Sequence, residues 1–175
     1  MQMRKGAIGL SLLATLLLLF GGWFLYQKIE VEEPIRTQIG QLQSAELAHL
    51  HVGKDHIQID LNVTHPELFP QEYRKLMQQA KEMAGGKEIQ VTLGNQSKEL
   101  EKVWMNGLFS FTEAVDLHQY SRIPQLVGEW KTAYQLDQAM AQMDAEHVYV
   151  YLKRGADDYY AIVPRSSGSE VAVRG

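Results

Sequence analysis

The chain has 175 residues, 17 basic and 21 acidic side chains, and no cysteine. That length holds one membrane anchor and one modest domain, since globular domains commonly run to roughly 100–150 residues. Beyond Arg4 and Lys5, 15 basic residues stand against 21 acidic ones, a formal charge of −6 that argues against nucleic acid as a partner; the missing cysteines exclude disulfides and thiol chemistry but leave the compartment open.

The first predicted element is Ala7 to Tyr26, AIGLSLLATLLLLFGGWFLY, which carries no charge. At about 1.5 Å per residue it reaches roughly 30 Å, the depth of a bilayer's hydrocarbon core. Trp23 and Tyr26 sit at its far end, where amphipathic rings favour the headgroup level. Arg4 and Lys5 precede it and Glu30, Glu32 and Glu33 follow it, so the positive-inside tendency puts residues 1–6 in the cytoplasm and the bulk outside the cell membrane. No small-x-small site follows Phe20, which favours an uncleaved anchor over a signal peptide.

Residues 27–46 read as a juxtamembrane segment. KIEVEEP is a short acidic linker, and Pro34 suits the first turn of a helix bearing Ile35, Ile39 and Leu42. The main domain is expected over 47–164 and a flexible tail over 165–175.

From Leu47 the apolar period becomes two. Leu50 and Val52 alternate with His49 and His51; Ile57, Ile59, Leu61 and Val63 alternate with His56, Gln58, Asp60 and Asn62. A two-residue loop at Gly53–Lys54 would set His51 opposite His56, Leu50 opposite Ile57 and His49 opposite Gln58. A helix from about Pro70 to Met83 follows, closed by Gly85 and Gly86, and then a short strand with Ile89, Val91 and Leu93 on one face.

Two longer amphipathic helices come next. Leu100, Val103, Trp104, Gly107, Leu108, Phe111, Ala114 and Val115 mark the first, with Ser97 as its cap; Ile123, Leu126, Val127, Trp130, Ala133, Tyr134, Met140 and Ala141 mark the second. Both tryptophans are read as core anchors. A second hairpin, HVYVYLK and YYAIVP, follows. A Gly155–Ala156 loop pairs Arg154 with Asp157, Lys153 with Asp158, Leu152 with Tyr159, Tyr151 with Tyr160 and Val150 with Ala161. The fold class is therefore α+β: an N-terminal transmembrane helix, then one mixed domain of two β-hairpins, a βαβ-like unit and two longer helices.

No HExxH, GxSxG, GxxxxGK[ST] or GxGxxG motif is present, which lowers the odds of an enzyme. NVT at 62 and NQS at 95 match the glycosylation pattern, which matters only in a eukaryotic secretory pathway. His49, His51 and His56 are the candidate metal ligands, with zinc the one candidate cofactor. The same face continues with Gln58, Asp60 and Asn62, so a pH-responsive or simply solvated face competes with the metal reading, and the solvated one is favoured. Tyr149, Tyr151, Tyr160 and Ile162 share a face and form the candidate interaction surface, either exposed or covered by a helix.

The segment 50–93, with HIQIDLNV, a helix ending in GG and the strand IQVTL, resembles the small βα units that build envelope rings in bacterial secretion and sporulation machines. The resemblance covers about a quarter of the chain. It implies homo-oligomerisation or docking with envelope proteins and carries no site residues. The expected function is thus a non-catalytic assembly component of an envelope complex, its partners the bilayer and a protein or second copy. The alternative is a metal- or pH-responsive accessory protein built on the three histidines.

Overall fold

A computed structural model describes residues 3–94 and 96–165. Helix α1 spans Met3–Tyr26 and runs without a break through a π-helical turn at Gln27–Glu32 into α2, Glu33–Ile39. The acidic segment expected to be a linker is therefore helical. The reason lies on its inner face: Val31, Ile35 and Ile39 are 4, 0 and 1 % exposed, so burying them holds the chain helical up to the domain. At Glu33 the backbone N–H reaches back five residues to the Lys28 carbonyl, the signature of a π-turn.

Strands β1 (Ala45–Val52) and β2 (His56–Val63) pair antiparallel; α3 (Phe69–Met83) leads into β3 (Glu88–Leu93), which pairs parallel to β2. Gly85 and Gly86, at φ 59° and 84°, take the left-handed conformations that let the chain turn after α3. Within β1, Ala48 is an extra residue between Leu47, paired with Leu61, and His49, paired with Asp60. This bulge rephases the strand, so that Ala45 and Leu47 before it and Leu50 and Val52 after it all meet apolar partners.

The first hairpin turns one residue later than the pattern suggested. Val52 pairs with Ile57, His51 with Gln58 and Leu50 with Ile59, while Gly53 N donates to His56 O at 2.8 Å around a Lys54–Asp55 loop. Moving the turn by one residue slides the pairing by two and preserves every in-or-out assignment, so alternation cannot separate the two registers. Packing does, because Val52 gains Ile57 in place of Asp55.

Helix α4 (Lys98–Asp116) and α5 (Ile123–Ala133) are joined through a 3₁₀ turn at Tyr120–Arg122. Ser97 occupies the α4 cap position, with extended ψ of 123°, yet its hydroxyl makes no cap bond; its N–H donates instead to Asp158 O at 2.9 Å. The helix expected to run through Met140 and Ala141 ends at Ala133, and Gln138–Met143 is strand β4. Gln, Ala and Met favour helix locally, but Gln135 adopts φ 52°, and the edge of β5 offers the following segment a full hydrogen-bond ladder.

Strands β5 (His147–Arg154) and β6 (Asp157–Pro164) complete a second sheet of order β4-β5-β6. Their pairs run from Arg154 with Asp157 to Val150 with Ala161, as read from the sequence, and the ladder continues to His147 with Pro164. Gly155 alone in the loop has positive φ, 61°, which suits a type II′ turn. The α+β architecture thus consists of two three-stranded sheets and their helices.

Two cores share β5. On one face Val148, Val150 and Leu152 pack with Leu100, Trp104, Phe111 and Trp130 of α4 and α5. On the other, Tyr149 and Tyr151 join Phe69 and Tyr73 of α3, Ile57, Ile59 and Leu61 of β2, and Val31, Ile35 and Ile39. After β3, Gln96 forms an isolated parallel bridge to Asp158 at the start of β6. The Gln96 side-chain amide then acts as one more rung, donating to Tyr160 O at 3.0 Å and accepting from Tyr160 N at 2.9 Å.

Candidate functional site

The histidines divide. His51 and His56 lie diagonally across the β1–β2 pair, their ring centroids 6.3 Å apart, whereas His49 lies opposite Asp60. His49 and His51 are exposed and His56 is half-buried. Among the described residues, no group of three or more His, Cys, Asp or Glu is placed to hold a metal ion. What converges near His56 is a carbonyl: Gly53 O accepts from Gln27 Nε2 at 3.1 Å and from Lys87 Nζ at 2.8 Å.

The tyrosine face is covered by the chain itself. Tyr149, Tyr151 and Tyr160 are 1, 6 and 6 % exposed, and Ile162 is half-buried. Phe69 meets Tyr160 edge-on at 5.0 Å between centroids, and Tyr73 meets Tyr149 edge-on at 6.1 Å. These rings join α3 and the first sheet to the second sheet. The Tyr149 hydroxyl donates to Asp144 Oδ2 at 2.8 Å, and Asp144 Oδ1 accepts from the backbones of Glu146 and His147, each at 2.8 Å. Burial alone would raise the Asp144 carboxyl, but these hydrogen bonds outweigh it and hold it below its ordinary value. Burial pushes the Tyr73 phenol up to about 12 and raises those of Tyr149 and Tyr160 as well, so all three are neutral near pH 7.

Arg165, expected to open a mobile tail, is packed: its guanidinium donates to Asp144 O at 2.7 Å and lies 4.4 Å from the Tyr120 ring centroid. Residues 166–175 of that tail lie outside the described residues.

The polar contacts above hold turns and strand ends; the exposed apolar surface lies elsewhere. On the outer face of α4, Phe109 is 89 % exposed and Met105, one turn earlier, 47 %. The inner stripe of α4 draws attention to Trp104 and Phe111 and hides this second apolar pair at i, i+4. A further signal was present in the sequence: an aromatic residue between Leu108 and Phe111 that fits neither their face nor a polar one.

Helix α1 is a larger exposed apolar surface. Its leucines from Leu10 to Leu19 are 41–77 % exposed and Phe20 is 69 % exposed. Gly9–Ile39 is one unbroken helix near the N-terminus whose apolar part is long enough to cross a membrane and is not buried by the domain.

The chain matches no family model, no curated protein and no solved structure.

Proposed function

We propose that this is a single-pass membrane protein, N-terminus in the cytoplasm, whose extracytoplasmic α+β domain serves as a non-catalytic assembly component of an envelope complex. The observation that carries the reading is the unbroken helix: its first half exposes leucines that water would not tolerate, and its last turns belong to the domain core. Each fully exposed leucine that moves into hydrocarbon contributes about 1.5–3 kcal/mol, so a row of them favours the bilayer strongly. The flanking charges support the proposed orientation.

Phe109 and Met105 supply the contact face for a protein partner, since interface cores are rich in aromatic residues and methionine. The test uses the full chain in its own membrane. Alkaline extraction should leave it in the membrane pellet, and protease added to intact cells should cut the domain. A photo-crosslinking residue at position 109 should capture a defined protein, while one at Lys131 should not. Release by alkali overturns the anchor, a protected domain overturns the orientation, and equal labelling from 109 and 131 overturns the contact face.

A further inference from the structure

The helix and the first hairpin run in opposite directions. From Gln27 the chain climbs away from the span through Val31, Ile35 and Ile39, and β1 then descends from Ala45 to Val52 along that same packed face. The descent ends beside the residue after Tyr26, because Gln27 donates to Gly53 O at 3.1 Å. Lys87 donates to that same oxygen at 2.8 Å, and Glu88 N donates to Asp55 O at 3.0 Å, which brings the Gly85–Gly86 turn to the same level.

Three separate segments therefore meet where the apolar span stops. The headgroup layer of each leaflet is roughly 5–7 Å deep, the difference between the total and hydrocarbon thickness shared between two sides. A loop hydrogen-bonded to the first residue past the span lies at that depth. Lys28 and Lys54 are exposed there, and the Gly85–Gly86 backbone is bare of side chains. Asp55 and Glu88 balance their charge, so the surface suits a headgroup carrying both signs.

We infer that the Lys54–Asp55 loop and the Gly85–Gly86 turn rest in the lipid headgroup layer, Lys28 and Lys54 donating to phospholipid phosphates. This rests on the anchor reading above and adds to it a second, lateral contact with the bilayer.

The chain lacks cysteine, so single cysteines report cleanly. Asp55→Cys, Thr64→Cys and Leu16→Cys are each labelled with a fluorophore in the full chain and reconstituted in phosphatidylcholine vesicles. Lipids spin-labelled at the headgroup should quench the label at 55 at least three-fold more than at 64, the opposite end of β2. Adding Lys54→Glu and Lys28→Glu to Asp55→Cys should lower that quenching at least two-fold, with the fluorescence of Trp104 and Trp130 in a Trp23→Phe background reporting an intact fold. Equal quenching at 55 and 64, while acyl-labelled lipid quenches the label at 16, overturns the inference and leaves the anchor standing. No quenching at 16 overturns the anchor and this inference with it.

Discussion

Glu72 offers the sharpest test of how the domain is held together. Its Oε2 accepts from Ser44 Oγ at 2.5 Å, Ser44 N at 2.9 Å and Gln43 N at 3.0 Å, tying the α2–β1 connection to α3. Ser44 is 0 % exposed, and its carbonyl takes the N–H groups of Thr64 and His65 at 2.8 and 3.1 Å, so the connection also fastens the far end of β2. Glu72→Ala leaves the buried Ser44 N–H without a partner. A hydrogen bond to a charged group is worth about 1.5–3 kcal/mol and an orphaned buried donor costs about 1–3 kcal/mol, while exposed Gln43 recovers its bond from water. The expected loss is therefore about 2–4 kcal/mol, against about 1.5–3 kcal/mol for Ser44→Ala, which removes the one charge-assisted hydroxyl bond and leaves both backbone donors paired. The double variant should lose less than the sum, since both changes break the same bond.

Acid dependence gives the same residue a second readout. Burial would raise the Glu72 carboxyl, but the bonds from Ser44 and Gln43 outweigh it and hold the group below its ordinary 4.5. With the folded value depressed, its contribution is complete above 4.5 and is lost as pH falls through the lower folded value. Glu72→Gln should lower stability at neutral pH and flatten that acid decline. Urea unfolding of the full chain in detergent, followed by Trp104 and Trp130 fluorescence in a Trp23→Phe background, measures both effects. A Glu72→Ala loss below about 0.5 kcal/mol, within ordinary surface-substitution effects, would refute the reasoning.

Three further outcomes follow from particular contacts. Gln96→Ala should cost about 2 kcal/mol by removing both bonds to Tyr160, and Gln96→Glu should be no better, because a carboxylate keeps the bond from Tyr160 N but meets Tyr160 O without a donor; urea midpoints compare them. Gly107→Ala should destabilise by about 1–2 kcal/mol, since its new methyl would overlap the Trp130 indole, whereas Gly128→Ala, open to solvent in α5, should stabilise by up to about 1 kcal/mol in thermal melts. Tyr149→Phe should cost about 1.5–3 kcal/mol at neutral pH. Asp144, whose depressed carboxyl contributes stability above its ordinary value, should then lose that contribution at a higher pH than in the parent, as acid titration of the fold would show.

What the sequence made legible was governed by local pattern. The charge-free run to Tyr26, the α3 stripe stopped by Gly85 and Gly86, and the Gly155–Ala156 hairpin all carry their cause in neighbouring residues. The errors arose where a distant part of the chain decided. Gln138–Met143 is composed of helix formers and becomes a strand because β5 lies beside it. The Gly53 turn is displaced in a register that alternation cannot distinguish, with Gln27 and Lys87 both bonding its carbonyl. For the candidate site, the shared face of Tyr149, Tyr151 and Tyr160 was readable, but its cover, Phe69 and Tyr73, depended on how two sheets meet. Gln96 was invisible altogether, since nothing in its neighbours marks a side chain that replaces a strand residue.

The π-turn at Gln27–Glu32 has a geometric consequence for the apolar helix that precedes it. A widened turn advances the chain around the helix axis by less per residue than an α-turn does. It therefore sets the azimuth at which α1 emerges beneath the domain, as a keyed shaft sets a wheel. Because Val31, Ile35 and Ile39 fix the upper side of that joint, removing one residue from the turn would rotate α1 relative to the domain. The direction in which each flank of α1 faces is thereby tied to the direction in which Phe109 points.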